Sequence, residues 1–200
     1  MLLKKLTLPE LLQNSCSQFK NNLSLNFVQS GKRTYQDLYK EVLSISNFLV
    51  ASGIKKGDKV AILSANMPNW GITQFAIAQV GAIAVPVLPG FSTPEIENIL
   101  EHSEAKIIFV SKLLYKLVAD IRNTFAVIPE GYPAADIEKL ENNIDLNNLT
   151  PLPAVEVEEE DTASIIYTSG TTGFSKGVEL THRNLMWDAK QCATIQPIVP

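Results

Sequence analysis

The stretch YTSGTTGFSKGVEL, residues 167–180, concentrates glycine and hydroxyl side chains around one lysine. Gly170 and Gly173 lack a β-carbon, so their backbones can take positive φ angles and turn neighbouring main-chain amides toward one point. Hydroxyl donors and the lysine charge complete a set of groups that suits a polyphosphate. The candidate phosphate-binding residues are Thr168, Ser169, Gly170, Thr171, Thr172, Gly173 and Lys176.

The segments on both sides of this loop have the pattern of β-strands. TASIIYT precedes the loop, and in GVEL, which follows it, Val178 and Leu180 alternate with Glu179. A Walker loop differs, because Ser or Thr and then a helix follow its lysine directly. The pattern therefore disfavours a P-loop kinase or GTPase. A polar hairpin loop that binds nothing stays open as an alternative, since Gly, Ser and Thr are common in turns.

Farther upstream, helical and strand patterns alternate along the chain. The segment RTYQDLYKEVLSISNFLVASG predicts an amphipathic helix that Thr34 caps, with Asp37 in its first turn and Gly53 at its end. Its expected buried stripe is Leu38, Val42, Ile45 and Leu49. The next predicted elements are the strand KVAIL, the helix PNWGITQFAIAQVGA with Pro68 in its first turn, the strand AIAVPV, the helix TPEIENILEHS capped by Thr93, and the strand KIIFV.

Strands that alternate with helices indicate parallel strands joined by right-handed crossovers. We therefore expect an α/β fold whose doubly wound, mostly parallel sheet is flanked by helices. The expected divisions are leading helices and short strands in residues 1–58, an α/β layer in 59–128, an acidic connection in 129–161, and a strand, phosphate loop, strand and helix in 162–200. Within the connection, EVEEED at residues 156–161 fits a solvated face better than a cation site.

The composition indicates an ordinary globular protein, with 46% hydrophobic residues, 19% charged residues and a formal net charge of -4. This mild acidity argues against a nucleic-acid partner. No apolar run predicts a transmembrane segment, and MLLKKLTLPELLQ does not resemble a signal peptide, so the expected location is cytoplasmic. Cys16 and Cys192 lie far apart without metal-ligand spacing, so we expect reduced packing residues and no metal site.

Four other side chains invite a functional role but have simpler explanations. His102 falls at the end of a predicted helix, where a positive charge suits the helix dipole, and His182 falls at a helix start. Neither has neighbours at metal-ligand spacing, so a ligand or acid/base role is disfavoured for both. Trp70 and Phe75 are expected to pack in the core, with a place in a substrate pocket as the alternative.

The stretch YTSGTTGFSKGVELTHRN closely resembles the phosphate-loop signature of the adenylate-forming enzymes, which include acyl-CoA synthetases, luciferases and the adenylation domains of nonribosomal peptide synthetases. The resemblance extends to RTYQDLYKEV and to residues 53–111. Thr171 is more similar to acyl-CoA synthetases than to peptide-synthetase adenylation domains, which often have serine there, and PVLPGFSTPEI resembles fatty acyl-CoA synthetases. The family usually has proline directly before the lysine, whereas this chain has Ser175, which should make the loop more mobile without removing a donor.

The resemblance implies the amino-terminal part of the family's large domain and a ligase reaction in two steps. A substrate carboxylate attacks the α-phosphate of ATP and releases pyrophosphate, and a thiol, commonly that of coenzyme A, then displaces AMP. Residues 168–173 and Lys176 would surround the β- and γ-phosphates. The implied cofactors are ATP and Mg²⁺, with coenzyme A as co-substrate and a small-molecule carboxylic acid, best matched by a fatty acid, as substrate.

The family's magnesium ligand and catalytic residues lie downstream of the loop, so the resemblance assigns no catalytic or metal-binding residue here. Family members are about three times as long as this chain, as expected for proteins of more than one domain. We therefore expect the amino-terminal part of a longer ligase that is inactive alone, since most ATP contacts would be missing. A regulatory or nucleotide-binding module without catalysis is the alternative.

Overall fold

The structure, a computed structural model, describes residues 3–27, 31–119, 121, 155–168 and 176–195. In these ranges the helices are α1 Leu8–Gln18, α2 Tyr35–Ala51, α3 Pro68–Gln79, α4 Thr93–Ser103 and α5 His182–Ile195, with a short 3₁₀ helix at Lys112–Leu117. The strands are β1 Leu23–Phe27, β2 Gly31–Thr34, β3 Lys59–Leu63, β4 Ile83–Val87, β5 Ala105–Val110, β6 Thr162–Thr168 and β7 Lys176–Thr181.

The main sheet of the described chain has the strand order β5-β3-β4-β6-β7. β3 pairs in parallel with β4 and with β5, and β4 pairs in parallel with β6. β7 alone among these strands runs antiparallel, alongside β6. β1 and β2 form a separate antiparallel pair. The expected mostly parallel α/β sheet is confirmed, and it includes the two strands that flank the glycine-rich loop.

Apolar side chains cover both faces of this sheet. Val60 and Ile62 of β3 belong to the cluster that contains the buried side chains of α1, α2 and α3. Ala61 and Leu63 alternate with them and belong to the second cluster, which contains the buried side chains of α4. A strand that is buried on both faces needs apolar residues at every buried position, which explains the unbroken apolar run VAIL after Lys59.

The predicted boundaries of α2 are confirmed by its capping contacts. Thr34 Oγ1 accepts a hydrogen bond from the N–H of Asp37 at 3.2 Å, and the Asp37 carboxylate accepts one from the N–H of Thr34 at 2.9 Å. Gly53 follows the helix with a φ of 82°, in the left-handed region that glycine adopts without strain. The four residues of the predicted stripe are all buried: Leu38, Val42, Ile45 and Leu49.

The predicted cap of α4 is wrong by one residue. Ser92 is the N-cap, and Thr93 is the first helical residue. The Glu95 carboxylate accepts hydrogen bonds from the N–H of Ser92 at 2.8 Å and from its hydroxyl at 2.6 Å. Pro94 is still within the first turn, where its missing N–H removes no helical hydrogen bond, so a proline there does not distinguish between the two candidate caps.

The acidic segment 156–161 forms specific contacts, in addition to facing solvent as predicted. Its carboxylates pair with cations from three separate parts of the chain: Lys5 with Glu158 at 2.6 Å, Lys56 with Asp161 at 2.7 Å, and Arg183 with Glu159 at 2.9 Å. The spacing of residues within the segment does not predict these partners, because Lys5, for example, is 153 residues away from Glu158 in sequence. Residues 129–154 of the predicted connection lie outside the described residues.

The two cysteines, both free thiols, have different surroundings. Cys16 is buried in the cluster with α1, α2 and α3, as expected for a packing residue. Cys192 is exposed on α5, so the expectation that it packs in the interior is wrong. Within the part of the chain that the structure describes, no helix is both long enough and apolar enough to cross a membrane.

Candidate functional site

The two described ends of the glycine-rich loop lie side by side on adjacent strands. Thr168 is the last residue of β6, Lys176 is the first residue of β7, and the two are partners in the antiparallel register. Both residues are exposed. The prediction that the loop joins two strands is therefore confirmed. Ser175, which replaces the family's usual proline, lies outside the described residues. So do the other candidate residues: Ser169, Gly170, Thr171, Thr172 and Gly173.

Thr168 lies at the carboxyl edge of the parallel strands. β6 runs parallel to β4, which in turn runs parallel to β3. β3 leads into α3 on one face of the sheet and β4 leads into α4 on the other. Ligands of open α/β sheets bind outside the carboxyl ends of the strands, where successive connections leave toward opposite faces. The end of β6 is therefore at the edge where this architecture places a ligand.

Lys176 is exposed, and its amine forms no ion pair with another described residue. Lys176 takes no part in the ion pairs that the described residues form, whereas four other lysines of those residues each pair with a carboxylate: Lys5, Lys56, Lys59 and Lys106. An exposed ammonium group beside a threonine hydroxyl can bind a phosphate oxygen through a charge-assisted hydrogen bond. Thr168 and Lys176 thus fit a phosphate group at the base of the loop.

Tyr167 precedes the end of β6 and is buried on the opposite face from Thr168. Its hydroxyl lies 2.7 Å from Nδ1 of His102, in the last turn of α4. Burial raises the pKa of the Tyr167 hydroxyl, so it stays protonated at neutral pH, and it shares a hydrogen bond with the imidazole whose direction depends on the histidine tautomer. No sequence pattern predicted this contact. Its only signal was that a tyrosine on the inward face of a strand needs a partner for its hydroxyl.

Gly177 follows Lys176 and faces the ring of Tyr167, its partner in the register of the two strands. A β-carbon at Gly177 would lie 2.9 Å from Cγ2 of Ile165 and 3.1 Å from Cζ of Tyr167. Both distances are shorter than normal carbon contacts, so the ring can approach this closely only because the residue is glycine. The glycine after the lysine therefore has a packing role.

His182, at the start of α5, is buried and has a structural environment. Its Nδ1 accepts a hydrogen bond from the backbone N–H of Leu8 at 3.3 Å. Burial lowers the pKa of His182 to about 4, although the negative charge of Asp161 opposes this shift. Among the described residues, no group of three or more His, Cys, Asp or Glu side chains could hold a metal ion.

Trp70 and Phe75 are partly buried and pack against the cluster that contains α1, α2 and α3. This contact agrees with the core-packing interpretation. A place for either ring in a substrate pocket stays a hypothesis.

Comparison with known proteins gives a consistent family assignment. Residues 12–199 match the family model described as AMP-binding enzyme. The long-chain-fatty-acid–CoA ligase of Bacillus subtilis (strain 168) is 26% identical over 94% of this chain and 38% of its own length. The crotonobetaine/carnitine–CoA ligase of Citrobacter koseri is 34% identical over 80% of this chain and 33% of its own length. The chain thus spans about a third of the length of these curated relatives.

A solved structure supports the same architecture. The fatty acyl-adenylate ligase from L. pneumophila, in complex with acyl adenylate and pyrophosphate, matches with a TM-score of 0.78 and 25% sequence identity. The match covers 96% of this chain and 33% of that one. The mixed α/β fold described above is therefore the fold of the corresponding part of adenylate-forming enzymes.

Proposed function

Because the chain belongs to the family of AMP-binding enzymes, we propose that it supplies the phosphate-binding part of an ATP-dependent acyl-CoA ligase. The observation that carries the proposal is the pairing of Thr168 with Lys176 at the carboxyl edge of the sheet. Both side chains are exposed there, at the two ends of a loop rich in glycine and hydroxyl groups. This arrangement suits the β- and γ-phosphates of ATP.

In the proposed reaction, a carboxylate oxygen of the acid attacks the α-phosphorus of ATP. The bond from that phosphorus to the bridging oxygen breaks, and pyrophosphate leaves with the bonding electrons. Negative charge therefore builds up on the departing phosphates, and groups held in place beside them lower the barrier. The Thr168 hydroxyl would donate a hydrogen bond to a phosphate oxygen. Lys176 would supply a positive charge and would not act as a nucleophile.

We propose a fatty acid as the acid and coenzyme A as the thiol that displaces AMP. The name of the Bacillus subtilis relative specifies a long-chain fatty acid, and that of the L. pneumophila ligase specifies a fatty acyl group. The Citrobacter koseri relative is named for crotonobetaine and carnitine, so a short polar acid is the competing substrate class. The Mg²⁺ that accompanies ATP would be held by residues other than those described.

A non-catalytic module that keeps the phosphate site is the second candidate. We propose that the 200-residue chain alone does not form acyl-adenylate, because ATP held only by its phosphates would be bound weakly.

Exchange of labelled pyrophosphate into ATP, dependent on added acid, tests both candidates. The assay would use the protein encoded by the complete reading frame with acids from acetate to long-chain, together with carnitine, and the 200-residue chain in parallel. Exchange by the complete protein alone supports the ligase and identifies its acid. Exchange by the short chain would contradict the proposed inactivity. Absence of exchange in both, with pyrophosphate still bound, would favour the non-catalytic module.

A further inference from the structure

We propose that His102 and Tyr167 are positioning residues for phosphate binding, which act by fixing the distance between Thr168 and Lys176. The ligand in this inference rests on the proposed function, whereas the positioning itself rests on contacts among described residues. Neither side chain needs to touch ATP. Their role would be to keep the two ends of the loop in one arrangement.

The first contact lies within the hairpin formed by β6 and β7, one residue pair before the loop. Tyr167 is the partner of Gly177, and the next pair along is Thr168 with Lys176. The aromatic ring lies so close to Gly177 that any β-carbon there would collide with it or with Ile165. The ring therefore holds the first residues of β7 against the end of β6, and with them the lysine.

The second contact joins the hairpin to a separate, rigid element. The rings of His102 and Tyr167 meet edge to face, with centroids 5.7 Å apart and an interplanar angle of 88°. The 2.7 Å hydrogen bond fixes the position of the phenol oxygen. His102 in turn lies on α4, whose buried residues Ile96, Ile99 and Leu100 anchor that helix in the core. The hydrogen bond thus adds a polar tie between α4 and a Tyr167 ring that is packed in the same apolar cluster.

Loss of this bond should affect phosphate binding specifically. A buried hydroxyl without a partner is unfavourable, so its ring would leave its present position or admit water. The strand ends would then sample more arrangements, and ATP would have to select the productive one at an entropic cost. The KM for ATP should rise, while the KM for the acid should not.

The test uses single variants in the complete protein. Tyr167→Phe and His102→Ala each remove the hydrogen bond, and we expect the KM for ATP and the dissociation constant for pyrophosphate to rise about fivefold, as for one lost hydrogen bond. His102→Asn keeps an amide near the position of Nδ1 and should restore most of the affinity. Gly177→Ala forces the ring away and should raise both constants roughly tenfold or more.

A stability control separates positioning from general destabilisation. Thr34→Ala removes the cap of α2, far from the loop in sequence and outside the cluster that contains Tyr167. It should lower the melting temperature about as much as Tyr167→Phe does and leave the KM for ATP unchanged. An equal rise of the KM for ATP in Thr34→Ala, or no rise in Tyr167→Phe, would overturn the proposal.

Hydrogen exchange at the backbone amides of Thr168 and Lys176 gives a readout that needs no ligand. Faster exchange at both amides in Tyr167→Phe, reversed in His102→Asn relative to His102→Ala, supports the positioning. Unchanged exchange in Tyr167→Phe overturns it even if the enzyme is a ligase. Suppose that the wild-type protein binds neither ATP nor pyrophosphate, but hydrogen exchange is still faster in the variants. The proposed function is then wrong, while the positioning of Thr168 and Lys176 by Tyr167 and His102 is supported.

Discussion

The imidazole of His182 accepts a hydrogen bond from the backbone N–H of Leu8 at 3.3 Å, across 174 residues of sequence. Two further bonds join the same region: the N–H of His182 donates to the carbonyl of Asp161 at 3.1 Å, and the N–H of Leu6 donates to the Glu159 carboxylate at 2.9 Å. The start of α1, the acidic segment and the start of α5 therefore meet at one place, beside a histidine that is buried.

This buried histidine should make the fold sensitive to mild acid. Its pKa is about 4 in the folded protein against an ordinary value of 6.5. Between these values the unfolded chain binds the proton and the folded chain does not. The contribution of neutral His182 to the free energy of unfolding is therefore complete above pH 6.5. It is lost as the pH falls toward 4, by up to about 3 kcal/mol.

Urea unfolding at a series of pH values measures this effect. His182→Asn keeps an acceptor for Leu8 and does not titrate, so its stability should change much less between pH 6.5 and 5. The carboxylates of the acidic segment interfere little in that range, because hydrogen bonds and ion pairs lower the pKa values of Glu158 and Glu159. Parallel pH profiles for the variant and the wild type would show that another group is responsible.

The pair formed by Arg33 and Glu41 should be sensitive to the loss of one partner. The arginine Nε lies 3.0 Å from Oε1 of Glu41, and the side chains are only 7% and 20% exposed. Burial raises the pKa of Glu41 in spite of the positive charge of Arg33. Arg33→Leu would leave that carboxylate without its cation, so we expect a loss of about 3 kcal/mol in the free energy of unfolding.

The matched double variant, with leucine at both positions, should recover much of that loss, since it leaves no buried charge. Lys59→Ala is the surface control: it breaks an ion pair with Glu104, whose side chain is 81% exposed, and should change stability by less than about 1 kcal/mol. A double variant as unstable as Arg33→Leu would contradict this account.

Gly81 should not tolerate a β-carbon. Its φ is 70°, and a β-carbon would lie 2.9 Å from Cγ1 of Val155 and 3.0 Å from Cγ of Lys56. Gly53 is the matched control, with a φ of 82° and nothing within 4 Å. Gly53→Ala should lower the free energy of unfolding by about 1 kcal/mol through backbone strain alone. Gly81→Ala should lose about 1 to 3 kcal/mol more, and equal losses in chemical denaturation would show that Val155 moves away at little cost.

Lys176→Ala should slow acyl-adenylate formation in the complete protein. Removing one group that stabilises charge on the departing phosphates is expected to lower the exchange rate roughly a hundredfold. Lys40→Ala is the control, since Lys40 is exposed on α2 and not at the loop. An unchanged exchange rate for Lys176→Ala at saturating ATP would remove this lysine from the proposed site.

Much of the fold was predictable because its signals are local. Helical spacing of apolar residues identified α2 and its buried stripe, and continuous apolar runs identified β3, β4 and β5. Alternation after Lys176 predicted β7 and hence the hairpin. The cap of α4 was predicted wrongly, although the spacing of Ser92 and Glu95 matches the capping-box pattern, whereas Thr93 has Ile96 at the equivalent position.

The candidate site was predictable only in part. The composition of the loop indicated a phosphate site, and two of its residues, Thr168 and Lys176, are placed together by the hairpin. The contact of His102 with Tyr167 joins residues 65 positions apart, and no spacing rule connects them. The ion pairs of the acidic segment were missed for the same reason.

The sequence by itself therefore determined the order of helices and strands, the hairpin around the loop and the resemblance to adenylate-forming enzymes. These features follow from backbone geometry and side-chain periodicity, which act over a few residues. Only the tertiary structure decided which carboxylates hold Lys5 and Arg183, why Gly177 must be glycine and which group holds the Tyr167 hydroxyl. Such contacts depend on how distant segments pack against one sheet, and a polar group becomes committed to its partner only when packing excludes water from both.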